Sequence, residues 1–149
     1  MGKFLLENAS LLTGEKMESG LLSIEGSRIS GIWLKKDLNE GKVRLPSFGE
    51  DFLSMDLGGR ILMAGGIDAH VHFREPGLTH KADFFTESRA ALLGGITSVI
   101  DMPNTNPPTV SEKALEDKLL MAEGRSWTGY GFHLGATNSN HPEILSLCS

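Results

Sequence analysis

Between Gly65 and Gly77 the chain reads GGIDAHVHFREPG, and four residues able to do chemistry stand at every second position: Asp68, His70, His72 and Arg74. Ala69, Val71 and Phe73 fill the gaps. In an extended strand, residues two apart share a face. A strand here would carry its polar groups on one side and its apolar groups on the other. Two imidazoles aimed the same way are favoured zinc ligands, and Asp68 is placed to orient one of them as a hydrogen-bond acceptor. An isolated His-x-His also arises by chance, in wetted strands or with histidines satisfied in a core, so the surroundings must decide. Arg74 ends the row, and its planar fork suits a carboxylate; the plainer alternative is a surface arginine paired with Glu75 or Glu87. Further on, Asn104 in DMPNTNPP offers both a donor and an acceptor in a loop stiffened by prolines. Its plainer alternative is an Asx-type turn.

These residues need a scaffold, and the pattern around them supplies one. Before Gly65, KFLLENASLL and GLLSIEGSRISGIW alternate partially and break at glycines, which reads as strands of a small antiparallel sheet. KKDLNEGKVRLPSFGED reads as a surface loop, and strand signals resume at FLSMDLGGRILM. After Gly77 the period changes from two to 3.6. In THKADFFTESRAALLGG a helix face runs through Phe84, Phe85, Ser88, Ala91 and Leu92, with Gly94-Gly95 as its stop and His80 at its start. ITSVIDMPNT reads as a buried strand. VSEKALEDKLLMAEG reads as a helix capped by Ser111, with Val110 stapled onto Leu115, a stripe of Leu115, Leu119 and Ala122, and Gly124 at its C-terminal end. TGYGFHLGAT is a third strand, and HPEILSL opens a further helix.

Strand, helix, strand, helix, strand is a succession of βα units, which predicts a parallel sheet flanked by helices. The predicted fold class is α/β: the first units of a (β/α)8 barrel in residues 63–149, preceded by a β-rich segment in residues 1–62. A closed barrel needs about 250 residues, so the 149-residue chain reads as the front part of a longer protein. In such barrels the C-terminal strand ends hold the active site, and that context favours a metal at the His-x-His pair. Asp101 is given no role. His133 on the third strand could face inward, His141 reads as a loop residue, and Cys148 has no neighbouring base to mark it as a nucleophile.

The net charge of −5 argues against nucleic acid or an anionic membrane as partner. One cysteine allows no intrachain disulfide and points to a reducing compartment. No run reaches the about 20 apolar residues of a membrane span, and MGKFLLENAS lacks the features of a signal peptide. The expectation is a cytoplasmic protein. The oligomeric state stays open, a homo-oligomer included.

GGIDAHVHFREPGLTHKADFFTESRAALLGGITSVIDMPNTNPP closely resembles the first two barrel units of dihydroorotases, in the cyclic-amidohydrolase superfamily. DxHVHFREPG and DMPNTxPP carry the resemblance, which extends through a β-sandwich-like N-terminal part and weakly to GATN. It implies that His70 and His72 bind the more buried of two zinc ions. It also implies that Arg74 and Asn104 hold the substrate carboxylate, with His72 lining the same pocket. The implied reaction is the reversible closure of N-carbamoyl-L-aspartate to L-dihydroorotate, a step of pyrimidine synthesis. Allantoinases and dihydropyrimidinases share the His-x-His strand, and a non-catalytic dihydroorotase-like scaffold is a further alternative. The family's bridging ligand, remaining histidines and general-base aspartate lie beyond the matched part. No catalytic residue is therefore assigned within this chain, and the chain alone is expected to be inactive.

Overall fold

The computed structural model describes residues 2–147, so Cys148 lies outside the described residues. The chain forms two compact units, Met1–Ala64 and Gly65–Ser149.

The first unit is a five-stranded sheet of β1 (Lys3–Thr13), β2 (Lys16–Glu25), β3 (Arg28–Leu34), β4 (Phe52–Asp56) and β5 (Ile61–Leu62). β1 pairs antiparallel with β2, as β2 does with β3. It pairs parallel with β4 and β5, so the sheet is mixed rather than antiparallel throughout. The reason is the long connection after β3, which returns the chain to the same end of β1 as it started from. Part of that connection, expected to be loop, is a short helix α1 (Lys35–Asn39) with no buried residue. Ala9, Leu11 and Leu22 make the small core.

The second unit is β6 (Gly66–Val71), α2 (Phe84–Leu93), β7 (Ile96–Asp101), α3 (Glu112–Ala122), β8 (Gly129–Phe132) and α4 (His141–Leu147). Its sheet is parallel, in the order β6-β7-β8, as the alternation of periods predicts. Val99 on the central strand is buried with Phe73, Phe84 and Ala122, whereas Ile67 on the outer strand β6 is 72% exposed.

Both long helices start where their sequences provide an oxygen for the free N–H groups of the first turn. The N-cap of α2 is Asp83, not His80: its carboxylate accepts from Thr86 N–H at 2.8 Å, and the Thr86 hydroxyl completes a capping box. Ser111 caps α3, accepting from Ala114 N–H at 3.2 Å. The buried faces are narrower than the apolar stripes. Phe84 and Ser88 are buried on α2 but Phe85 and Leu92 are exposed; on α3 Ala122 is buried, Leu119 is exposed, and the residue buried beside Ala122 is Lys118. His141, read as a loop residue, is the first residue of α4.

The connection from β6 to α2 sets the position of the chemistry-bearing residues. β6 ends at Val71, so His72, Phe73 and Arg74 come after the strand rather than extending it. Arg74 then takes the left-handed conformation, φ +68°, which costs a non-glycine residue about 1–2 kcal/mol. Gly77, at φ +79°, brings this turn against the loop after β7. A Cβ on Gly77 would lie 1.8 Å from the Asn106 carbonyl oxygen, and Asn106 N–H donates to the Pro76 carbonyl at 3.1 Å.

Gly77→Ala must therefore push the two loops apart and is expected to lower stability by about 2 kcal/mol or more. Arg74→Gly, three residues earlier, relieves a strained backbone and is expected to leave stability unchanged or raise it by up to about 1 kcal/mol. Urea unfolding of both variants gives the two signs. Asp83→Ala removes the cap of α2 and should cost about 1 kcal/mol at neutral pH. The Thr86 N–H holds the Asp83 carboxyl below its ordinary value of 3.8. Its contribution is thus present above that value and lost as pH falls through the lower, folded one. Unfolding curves of wild type and variant should differ at neutral pH and converge as the pH falls through and below the lowered value.

Candidate functional site

The site forms where the parallel strands end. β6 delivers His70 as its penultimate residue, and His72 comes one residue past its end. Their rings lie 5.3 Å apart between centroids, inclined at 71°. The loop leaving β7 brings Asn104 to His72, with Asn104 Oδ1 2.8 Å from His72 Nδ1. An amide oxygen only accepts, so this contact places a proton on Nδ1 and leaves the Nε2 lone pair available. The His70 ring makes no hydrogen bond among the described residues.

Asp68 does not orient a ring. Its carboxylate accepts from the His70 backbone N–H at 3.0 Å, an Asx-type bond that fixes the end of the strand. The even alternation also stops short of Arg74, because the left-handed turn redirects its side chain. Arg74 does not pair with Glu75 or Glu87 and makes no ion pair among the described residues. Glu75 instead pairs with Arg125, at 2.7 Å, and accepts from Phe84 N–H at 3.1 Å. One carboxylate thereby ties the turn after Arg74 to the start of α2 and to the segment after α3. The hydrogen bond Glu75 accepts, and then its charge, raise the pKa of Arg125 above the ordinary arginine value.

A zinc ion fits the two imidazoles as part of its ligand set. Both rings sit at a strand end with an acceptor nitrogen free, and the Asn104 contact orients one of them in the way that outer hydrogen bonds orient metal ligands. The set is incomplete here. Catalytic zinc sites use three protein ligands, and no cluster of three or more His, Cys, Asp or Glu able to hold a metal occurs among the described residues.

Three further residues reach the strand ends without a signal in their spacing. Asp101, the last residue of β7, is buried: Oδ1 accepts from Phe73 N–H at 2.8 Å. Lys118 Nζ lies 2.7 Å from its Oδ2, as an ion pair rather than an aligned hydrogen bond, and donates to the Met102 carbonyl at 3.0 Å. Removing one partner of such a pair strands a buried charge, at a cost of about 3–5 kcal/mol. His133, just past β8, contacts the Ala69 carbonyl through Nε2 at 2.9 Å, while its own N–H donates to the Asp101 carbonyl. Position on a strand places His133 near an end, but only the tertiary structure brings its ring to Ala69, on the strand at the other side of β7.

Comparison with known proteins gives the arrangement a family. The profile of the amidohydrolase family matches residues 61–144. A dihydroorotase of Methanosarcina acetivorans is 41% identical over 102 residues, which are 64% of this chain and 22% of that protein. An allantoinase of Saccharomyces cerevisiae is 41% identical over 87 residues, 58% of this chain and 19% of that protein. Among solved structures, the L-hydantoinase (dihydropyrimidinase) of Arthrobacter aurescens superposes with a TM-score of 0.84 at 25% identity, covering 99% of this chain and 31% of the hydantoinase. The chain thus spans less than a third of these relatives, and no helix among the described residues is long and apolar enough to cross a membrane. A parallel βαβαβ unit with paired histidines at its strand ends and a family match across most of that unit lead to one conclusion: the chain belongs to the amidohydrolase family.

Proposed function

We propose that the protein to which this chain contributes is a dihydroorotase, interconverting N-carbamoyl-L-aspartate and L-dihydroorotate. The observation that carries the reading is the 2.8 Å contact between His72 and Asn104. It joins the His-x-His-Phe-Arg motif to the Pro-Asn-Thr motif in one place, as a pocket for a ring bearing a carboxylate requires. The Methanosarcina relative supports the same choice.

In this reading His70 and His72 are ligands in a two-zinc site. Zinc would lower the pKa of a bound water to about 7 and polarise the ring amide. The protein's own groups supply position. Arg74, which makes no ion pair among the described residues, offers a planar fork to the two oxygens of the substrate carboxylate. Asn104, held against His72, presents its amide N–H2 to the same group. His72 thus stands between metal and substrate and sets the distance from the carboxylate anchor to the reacting carbonyl.

The test is turnover by the complete, zinc-loaded protein of L-dihydroorotate, allantoin and hydantoin side by side. Hydrolysis of L-dihydroorotate well above the other two is expected. Preference for allantoin would replace the reading with allantoinase, and no turnover of any would favour a non-catalytic scaffold. Arg74→Lys keeps the charge but loses the fork, and should raise KM for L-dihydroorotate about tenfold or more, with a smaller change in kcat. The 149-residue chain alone should show no turnover, because two histidines fall short of a catalytic ligand set. Ring closure consumes one carboxylate and one proton. The equilibrium ratio of L-dihydroorotate to N-carbamoyl-L-aspartate should therefore rise about tenfold per unit fall in pH, measured at two neutral-to-alkaline values.

A further inference from the structure

We infer that Asp101 and Lys118 are positioning residues for the substrate-facing turn, acting on His72 and Arg74 through the backbone between them. The inference rests on the proposed roles of His72, Arg74 and Asn104.

Three strand ends meet on the short segment Asp101–Met102. The Asp101 carboxylate takes the Phe73 N–H at 2.8 Å, Met102 N–H donates to the Val71 carbonyl at 2.9 Å, and the Asp101 carbonyl accepts from His133 N–H at 2.9 Å. Phe73 is the residue between the proposed metal and substrate groups, and it lies beyond the end of β6. Its N–H consequently has no partner in the sheet ladder, and the Asp101 side chain takes the place of one. The next residue is Arg74 in its strained left-handed conformation. Such a conformation persists only where the surroundings over-determine it. Here the turn is fastened on the near side by Asp101 and on the far side by Glu75 with Arg125.

Lys118 explains why a carboxylate can do this in a buried place. Its ammonium is fully buried, lies 2.7 Å from Asp101 Oδ2 and stands 5.0 Å over the Phe132 ring. It also donates to the Met102 carbonyl at 3.0 Å, at the root of the loop that carries Asn104. One lysine on α3 thus holds the carboxylate that fixes the turn of His72–Arg74 and the backbone that leads to Asn104. A pair that served only the stability of the core could be exchanged for apolar residues without consequence for the site.

Two double variants of the complete zinc-loaded protein separate the two roles, and neither leaves a lone buried charge. Asp101→Leu with Lys118→Met packs the space but gives Phe73 N–H no acceptor. Asp101→Asn with Lys118→Met keeps an oxygen for it. The first should raise KM for L-dihydroorotate about tenfold or more while kcat changes about threefold or less, as loss of an acceptor for a buried N–H that positions a binding group predicts. The second should return KM to within about threefold of wild type. Amide hydrogen exchange provides a readout without substrate: Phe73 should exchange about tenfold faster or more in the Leu/Met variant and near the wild-type rate in the Asn/Met variant, with Val99 unchanged in both. Equal KM values in the two double variants would overturn the inference. Should wild type not turn over L-dihydroorotate, the proposed function fails, and equal Phe73 exchange in the two variants then overturns the positioning role by itself.

Discussion

The buried pair of Asp101 and Lys118 is the constraint around which the second unit is organised. A carboxylate at the end of a central parallel strand is expensive to bury alone, and a lysine inside a helix–sheet interface is equally so. Together they are tolerable, because each offsets the other's charge and their remaining polar atoms find backbone partners. Those partners are the ends of neighbouring elements. The pair therefore converts a packing problem into a fixed relation between the exit of β6, the exit of β7 and the buried face of α3.

That relation matters because the sheet itself does not supply it. β6 pairs with β7 irregularly, with shifts in register before Ile67 and again before Val71. Beyond Val71 no strand ladder holds the chain. It turns instead through a left-handed arginine, fastened by side-chain carboxylates at Asp101 and Glu75 and by the close approach of Gly77 to Asn106. Residues that leave a strand and are then held by buried charges can aim in directions a pleated strand cannot. This is how His72 meets an asparagine from the next βα unit.

Much of this is legible in residue order. The switch from period two to period 3.6 after Gly77 marks the succession of βα units, and Ser111 marks the start of α3. The pairing of DxHVHFREPG with DMPNTxPP points to the family that the comparisons bear out. Other features mislead. The alternation through Asp68, His70, His72 and Arg74 implies one continuous face, yet the strand stops at Val71 and Asp68 bonds a backbone N–H. The apolar stripe of α3 runs through Leu119 by residue type, whereas the helix turns Lys118 inward and leaves Leu119 exposed. Lys118 does sit three residues after Leu115 and four before Ala122, on their side of the helix. Only its charge argues for solvent, and a charge alone cannot reveal that a partner waits inside.

The sequence by itself determined which elements form, in what order, and which residue types stand at the strand ends. These arise from local periodicity, capping oxygens and motif spacing, all of which act between near neighbours in the chain. Tertiary structure decided where β6 releases the chain, which carboxylate receives the Phe73 N–H, and that His72 lies beside Asn104. Each of these joins residues from different βα units, and their distances depend on sheet register, on curvature and on the balance of buried charge, which no local pattern encodes.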